Sequence, residues 1–216
     1  MIKIGFCLLI SLLTLPILAG ELVVTVLNID KHPIKDIVVT VTPQDSNKSR
    51  GKLSAIEIKQ KDKAFLPYIN VIQQGQKVIF SNMDDITHHI FSASREQRFS
   101  FKLHAGKQRD HIKFTKPGQI PMGCNIHDWM SGYLLVVDTP YFSKTDANGI
   151  VRFKLEEIGQ ATIKIMHPQL TETKSNTTKN ISLDGRSQHV SIELKENFVD
   201  IPQQQSGEDF DFLDDY

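Results

Sequence analysis

Short runs of β-branched and aromatic residues recur along most of the chain, and the 3.6-residue period of an amphipathic helix is nearly absent. In Val190-Ser191-Ile192-Glu193-Leu194 every second residue is apolar, as in a strand with one buried face. The runs that predict strands are Leu22–Leu27, Ile37–Val41, Ala55–Ile58, Lys77–Phe80, Phe99–Leu103, His111–Phe114, Tyr133–Val137, Ile150–Leu155, Thr162–Met166 and His189–Leu194. The pairs Gln74-Gly75, Pro117-Gly118, Asn148-Gly149 and Asp184-Gly185 fall between runs, as turns do. The pattern predicts an all-β protein of sandwiches or barrels.

The N-terminal segment departs from this pattern. Residues 1–20 contain 14 apolar residues and one charge, Lys3, and they end in Ala19-Gly20. A basic start, a short apolar middle and a small-residue exit are typical of a secretory signal peptide, so we expect an exported, periplasmic protein with no membrane span after cleavage. Because Ile17 stands where a small residue is preferred, an uncleaved anchor stays open as an alternative.

The C-terminal segment is acidic. Residues 200–216 contain six acidic residues and no Lys or Arg, a composition typical of a disordered, solvated tail. A second interpretation is that Phe210, Phe212 and Leu213 dock on a partner or on a basic face of the protein itself. The whole chain has net charge zero, so a tail of −6 and a leader of +1 leave +5 on residues 21–199.

Charge and cysteine content exclude several classes of protein. The 25 basic and 25 acidic residues balance, which argues against a non-specific nucleic-acid binder. Two cysteines are too few for a disulfide-rich scaffold or a four-cysteine metal site. Loss of the leader would remove Cys7 and leave Cys124 as a single thiol in an oxidising compartment.

One group of residues carries metal chemistry. Cys124, His127 and Met130 follow one another with C-x2-H-x2-M spacing, and His88-His89 lies upstream. Two imidazoles, one thiolate and a weak axial thioether form the blue-copper ligand set. The same cysteine and histidines also accept zinc, and Cys124 could instead be an inert buried thiol.

The stretch from about Lys52 to Asp138 resembles the cupredoxins, the plastocyanin and amicyanin family. The resemblance is carried by Phe65-Leu66-Pro67, Gly75-x-x-Val78, Asn82-x-Asp84, His88, Pro117-Gly118 and the Cys124 loop, whose short spacing is similar to that of amicyanin. The run GCNIHDWM followed by VVDTPYF resembles bacterial proteins of the methylamine utilization protein type. The resemblance implies a Greek-key β-sandwich that holds one type 1 copper ion.

The resemblance also assigns the individual residues. It implies His88, Cys124, His127 and Met130 as copper ligands, with His89, Asn82 and Trp129 as supporting residues around them. Strand alternation lets only one of His88 and His89 face inward, and the resemblance selects His88. Trp129 either packs the ligand loop or belongs to an apolar docking patch beside His127.

The flanks of this region predict a second β-domain. Residues 21–49 form the first part and residues 139–199 the second, around a copper domain at residues 50–138. Together the two flanks resemble the carboxypeptidase-regulatory-like, transthyretin-type β-sandwich, with Thr145-Asp146-Ala147-Asn148-Gly149 as the main motif. The alternative is an N-terminal extension and a separate C-terminal β-domain.

These observations predict a periplasmic type 1 copper protein that carries single electrons. We expect a redox protein as partner, such as a cytochrome, a dehydrogenase or a terminal oxidase. The alternative is a periplasmic copper-binding carrier or sensor without electron-transfer turnover. The sequence contains no His-x-His pair for a trinuclear copper cluster, so we do not expect an enzyme.

Overall fold

A computed structural model describes residues 20–44, 53–156, 158–170, 177–199 and 201 of the 216-residue chain, with the side chains of residues 110 and 111 also left out. The predicted signal peptide, apart from Gly20, and the predicted acidic tail, apart from Ile201, lie outside this part. Among the described residues, no helix is long and apolar enough to cross a membrane.

Sixteen strands make up the described secondary structure, which confirms the prediction of an all-β protein. They are β1 (Gly20–Leu27), β2 (Val38–Pro43), β3 (Ile56–Lys61), β4 (Ala64–Leu66), β5 (Ile69–Gln73), β6 (Lys77–Asn82), β7 (His88–Ser92), β8 (Phe99–Leu103), β9 (Gln108–Lys113), β10 (Gly118–Cys124), β11 (Ser131–Val137), β12 (Tyr141–Lys144), β13 (Ile150–Leu155), β14 (Gly159–Met166), β15 (Thr178–Leu183) and β16 (Gln188–Glu193). Each predicted run overlaps one of them, and β4, β5, β7, β10, β12 and β15 were not among the predicted runs.

Strands β3 to β11 form a sandwich that we call the inner sandwich. Its four-stranded sheet has the order β4-β3-β6-β9 and its five-stranded sheet the order β5-β11-β10-β7-β8. Alternate side chains of both sheets point inward and form one core, as in the burial pattern of β10. Phe65, Phe80 and Phe114 are fully buried there.

The remaining strands form a second sandwich, which we call the outer sandwich. Its sheets have the orders β13-β1-β16 and β12-β2-β14-β15. Strands β1 and β2 therefore pair with strands that follow the inner sandwich in the sequence. The turn before β13 needs its glycine, because Gly149 has φ +70° and a Cβ there would lie 2.5 Å from the carbonyl oxygen of Val26.

The two sandwiches share a junction beside β5 and β11. Val38 of β2 is buried against Ile69 of β5 and Leu135 of β11. Lys144 of β12 donates a hydrogen bond to the carbonyl oxygen of Ile69 (3.1 Å) and pairs with Asp36 (2.9 Å). A cleft of about 670 Å³ lies between the sandwiches next to this junction.

The junction leaves one end of the inner sandwich open. Strand β10 runs from Gly118, which lines the cleft, to Cys124 at the opposite end, a length of roughly 20 Å. Residues Asn125, Ile126 and Asp128, which follow Cys124, are exposed. The predicted ligand loop therefore lies at the end that the outer sandwich does not cover.

Candidate metal centre

Two strands bring the predicted ligands together at this open end. Cys124 ends β10 and pairs with Ile90 of β7, two residues after His88, which begins β7. His88 begins β7 directly after the Met83–Thr87 loop, and its side chain points into the sandwich. Consequently His88 is fully buried and Cys124 is 5% exposed.

The three metal-binding side chains meet at their donor atoms. The sulfur Sγ of Cys124 lies 3.9 Å from Nδ1 of His88 and 3.7 Å from Nδ1 of His127. Their candidate ligand atoms all lie within 4.8 Å of one another, and all three residues are buried. Metal–nitrogen bonds of about 2.0 Å and metal–sulfur bonds of about 2.3 Å would separate nitrogen and sulfur by roughly 3.5–3.7 Å at tetrahedral or trigonal angles. The donor set is therefore consistent with one copper ion.

The ligand loop is closed by its own backbone. The N–H of Cys124 donates to the carbonyl oxygen of Met130 (3.2 Å). The N–H of Met130 donates to the carbonyl oxygen of His127 (3.0 Å). Met130 is 1% exposed and packs in the same core cluster as Cys124. The loop thus holds a thiol, an imidazole and a thioether on a short, hydrogen-bonded turn.

Asp84 orients His88, a role that was not predicted from the sequence. Its carboxylate lies 2.7 Å from Nε2 of His88, which leaves Nδ1 to face Cys124. The backbone N–H groups of Asp62 (2.6 Å) and Lys63 (3.0 Å) donate to the same carboxylate. A carboxylate that fixes the far nitrogen of a ligating histidine is a common support of metal sites. The signal in the sequence was an acid four residues before the histidine.

The electrostatics of this cluster favour a thiolate. Burial alone would raise the pKa of the Cys124 thiol, but a hydrogen bond with His88 and backbone N–H groups, that of Ile126 foremost, lower it to about 6. Burial would lower the pKa of His88, yet the hydrogen bonds with Cys124 and Asp84 raise it. Burial would raise the pKa of Asp84, but the hydrogen bond from His88 and those from the N–H groups of Lys63 and Asp62 together lower it.

His89 lies on the opposite face of β7 from His88, as strand alternation requires. Its Nε2 lies 2.8 Å from Oγ of Ser100, and its Nδ1 lies 3.4 Å from the side-chain nitrogen of Asn125. Its carbonyl oxygen also accepts a hydrogen bond from the N–H of Asn125 (3.0 Å). His89 therefore contacts the residue that follows Cys124.

Asn82 supports the loop that leads to His88. Its amide donates to the carbonyl oxygens of Ile86 (2.7 Å) and Leu103 (2.9 Å), and its Oδ1 accepts from the N–H of Asp84 (2.9 Å). Asn82 therefore does not contact the metal-binding atoms itself. It holds the backbone of Asp84, and Asp84 in turn contacts His88.

Trp129 packs on the second histidine. Its ring centroid lies 5.4 Å from that of His127, and its Nε1 is buried with no hydrogen-bond partner among the described residues. His127 itself is only 8% exposed. The apolar surface next to these loops comes from Met83, 55% exposed, and Ile126, 53% exposed.

The remaining histidines with described side chains lie away from this cluster. His104 contacts Thr87, His189 contacts Thr25, and His167 is buried in the outer sandwich. Among the described residues, His88, Cys124 and His127 form the group whose spacing could hold a metal ion.

Comparison with known proteins gives partial likenesses. No family model matches the sequence, and no curated protein matches it. A copper-containing nitrite reductase from Thermus scotoductus is similar in structure, with 24% identity over 45% of this chain and 25% of that chain and a TM-score of 0.38. This chain therefore matches only a quarter of the length of that protein.

Two smaller proteins are also similar in structure. A mutant of amicyanin in the Cu(I) state has 16% identity over 38% of this chain and 82% of that chain, with a TM-score of 0.36. A purple cupredoxin from Nitrosopumilus maritimus has 22% identity over 38% of this chain and 99% of that chain, with a TM-score of 0.34. The assignment of a metal ion to this chain rests on its own donor atoms.

Proposed function

We propose that this protein is a periplasmic blue copper protein that carries single electrons between redox proteins. The observation that supports this most strongly is the buried cluster in which Nδ1 of His88 and Nδ1 of His127 both face Sγ of Cys124. Bound copper would alternate between Cu(I) and Cu(II) and so accept and release one electron at a time.

The residues of the chain prepare this site before any ion binds. With its pKa lowered to about 6, the Cys124 thiol is largely deprotonated at neutral pH and available to a soft metal. Asp84 holds the His88 ring by Nε2, so that its Nδ1 stays directed at the sulfur. Met130 is proposed as the weak axial ligand, since its loop hydrogen bonds keep it beside Cys124.

The surroundings of His127 support an exchange of electrons at the open end of the inner sandwich. The ligand loop lies outside the junction with the outer sandwich, and Ile126 is 53% exposed next to His127. A cytochrome, a dehydrogenase or a terminal oxidase is the proposed kind of partner. The methylamine utilization type, the export to the periplasm and the absence of an enzymatic reaction stay predictions from the sequence.

The experiment that tests the proposal is copper loading of the chain without residues 1–20, followed by visible and EPR spectroscopy. We expect an intense thiolate-to-copper charge-transfer band and narrow hyperfine splitting. Both signals should disappear in Cys124→Ala, and a full band in that variant would refute the site. His88→Ala should abolish the band while His89→Ala keeps it, since of these two neighbours it is His88 that faces the sulfur.

Two other results would redirect the proposal. A colourless protein that retains only Cu(I) would favour a copper carrier or sensor without electron-transfer turnover. Preferential retention of zinc from an equimolar mixture, with no blue form on copper addition, would favour a zinc site, since zinc accepts the same donors.

A further inference from the structure

A group of basic residues lies along β8 and β9, the last strands of the two inner sheets. Residues 95–116 contain seven Lys and Arg residues but only two acidic residues. All seven cations are exposed, and we call the surface they form the basic edge: Arg95, Arg98, Lys102, Lys107, Arg109, Lys113 and Lys116. Of the acids, Glu96 lines the cleft between the sandwiches. Among the described side chains, none of the seven cations forms an ion pair.

The basic edge lies next to the strand that carries His88. Strand β8 is the last strand of the five-stranded sheet and pairs with β7, so that Leu103 lies opposite His88 and Lys102 opposite His89. Alternate residues of an antiparallel edge strand direct their N–H and C=O groups away from the neighbouring strand. Among the described residues no strand pairs with the other side of β8, so its outward N–H and C=O groups can pair with a further strand.

The two faces of β8 differ in chemistry. Ser100 and Lys102 are exposed on one face, whereas Phe99 and Phe101 lie on the other with ring centroids 5.8 Å apart. Phe99 is only partly buried, and the guanidinium of Arg109 lies 5.0 Å from the Phe101 ring centroid. A segment that suits this edge is extended and alternates acidic with aromatic residues, because same-face neighbours on paired strands contact each other.

The chain contains a segment of this kind. Residues 208–213 read Glu-Asp-Phe-Asp-Phe-Leu and lie outside the described residues. In an extended conformation, Asp209 and Asp211 share one face while Phe210 and Phe212 share the other. The segment belongs to the acidic stretch that offsets the +5 charge of residues 21–199.

The last described residues leave the outer sandwich close to the basic edge. The backbone N–H and C=O of Val199 each form a 3.0 Å hydrogen bond with the side chain of Gln169, and Phe198 packs on His167 with ring centroids 4.9 Å apart. His167 lines the cleft, and so do Glu96 and Pro117, which lie together at one end of the basic edge.

The length of the intervening chain is sufficient. From Val199 to Phe210 there are eleven residue steps, which reach on the order of 36 Å when extended. The five residues of β8 span roughly 17 Å. Residues 208–213 can therefore cross the cleft and reach β8.

We propose that residues 208–213 bind the basic edge as an added strand beside β8. Asp209 and Asp211 lie on the face of Lys102, and Phe210 and Phe212 lie on the face of Phe99 and Phe101. The bound segment lies beside the pair of strands that carries His88. This contact does not depend on a bound metal.

Amide hydrogen exchange of the full chain, read residue by residue, tests the proposal. The amides of β8 that do not bond to β7 should be protected in the unmodified chain. In Phe210→Ser/Phe212→Ser and in Lys102→Glu, we expect these amides to exchange at least about tenfold faster, since local opening of an unpaired edge is easier. The matched control is Lys154→Glu, an exposed lysine on β13, which is also the last strand of a sheet.

The control should leave β8 exchange unchanged, and core amides such as those of Val24 and Ile90 should be unaffected in every variant. Equal β8 exchange in all four proteins would overturn the proposal. Protection that is lost on dilution would also overturn it, because it would assign the contact to the tail of a second copy. None of these readouts uses the copper signal, so failure here leaves the proposed function standing.

Discussion

The inner and outer sandwiches are both two-sheet structures of alternating strands, but their interiors differ in chemistry. The outer core is aliphatic apart from Phe153 and contains buried residues such as Val24, Val39 and Ile163. The inner core is aromatic at its centre and has Cys124 and Met130 at one end. Next to that end lie buried His88 and Asn82, so polar groups have replaced apolar ones there.

This difference indicates a division of labour. Buried polar side chains are tolerated only when other groups satisfy them, and the inner sandwich uses Asp84 and the backbone of its loops to do so. The outer sandwich uses its interior for packing and meets its neighbour through a small junction. We infer that the inner sandwich provides the chemistry and the outer sandwich provides a support.

The largest expected effect comes from opening a cavity in either core. Phe80→Ala should lower the free energy of unfolding of the inner sandwich by about 3–5 kcal/mol, and Ile163→Ala that of the outer sandwich by about 2–5 kcal/mol. Trp129, the single tryptophan, reports on the inner sandwich during urea unfolding. Because the junction buries few residues, we expect Ile163→Ala to shift the Trp129 transition by less than about 1 kcal/mol.

Circular dichroism at the strand signal should follow both sandwiches in the same experiment. If the two variants shift the fluorescence and dichroism transitions together, the sandwiches unfold as one unit. The inner and outer sandwiches would then differ in the chemistry of their cores but not in their stability.

A smaller effect is expected where the inner sandwich supports its polar end. Asp84→Asn should lower the affinity for copper by about 10–100-fold, because the amide no longer offers the carboxylate that orients His88. Competition with a chelator of known affinity measures this. Asp85→Asn is the matched control, since Asp85 is the exposed neighbour. An equal loss in both variants would mean that general charge, and not the contact with His88, sets the affinity.

The sequence patterns that correctly predicted structure are those that depend on residues close together in the chain. Alternation located β1 and β14, but not the seven-residue β10, whose Gly118, Pro121 and Gly123 are residues that strands disfavour. The C-x2-H-x2-M spacing located a loop that does bring Cys124 and His127 together. Short strands such as β4 and β12 were not predicted, because three or four residues carry too little periodicity.

The strands at the junction between the sandwiches have a sequence pattern that differs from simple alternation. Four successive residues of β2 and of β11 are buried, so these strands have two covered faces. The runs Val38-Val39-Thr40-Val41 and Leu134-Leu135-Val136-Val137 are correspondingly almost continuous in apolar residues. The role of Asp84 was not predicted although it lies four residues before His88, because the N–H groups that hold its carboxylate belong to the β3–β4 turn, more than twenty residues away in sequence.

Among the described residues of the outer sandwich, His167 is the buried titratable group, and it gives a pH dependence of its own. Burial lowers the pKa of His167 to about 4, and Nδ1 accepts a hydrogen bond from the N–H of Gln169 (3.2 Å). Since the pKa in the folded protein lies below the unfolded value of 6.5, the unfolded chain binds more protons between these values. Stability from this group is complete above the unfolded pKa and declines as pH falls towards 4, by about 2 kcal/mol at pH 5.

Urea unfolding followed by circular dichroism at pH 8 and pH 5 measures this change. His167→Gln keeps an acceptor but removes the titration, so its loss between the two pH values should be smaller by about 2 kcal/mol. His189→Gln, on the exposed face of β16, should behave as the unmodified protein does. An identical pH dependence in all three proteins would show that His167 is not protonated on unfolding.

The smallest expected effect concerns the contact that joins the two regions. Lys144→Met keeps the apolar stem but removes the hydrogen bond to the Ile69 carbonyl and the ion pair with Asp36. Both partners are partly screened by solvent, with 27% and 20% of the side chains exposed, so we expect a loss of about 1 kcal/mol. Lys154→Met, at an exposed lysine of β13, should cost almost nothing.

The loss in Lys144→Met should appear in the Trp129 transition, because Ile69 belongs to the inner sandwich while Lys144 belongs to the outer one. A Trp129 transition that is the same in Lys144→Met and Lys154→Met would mean that apolar packing of Val38, Ile69 and Leu135 alone couples the two sandwiches.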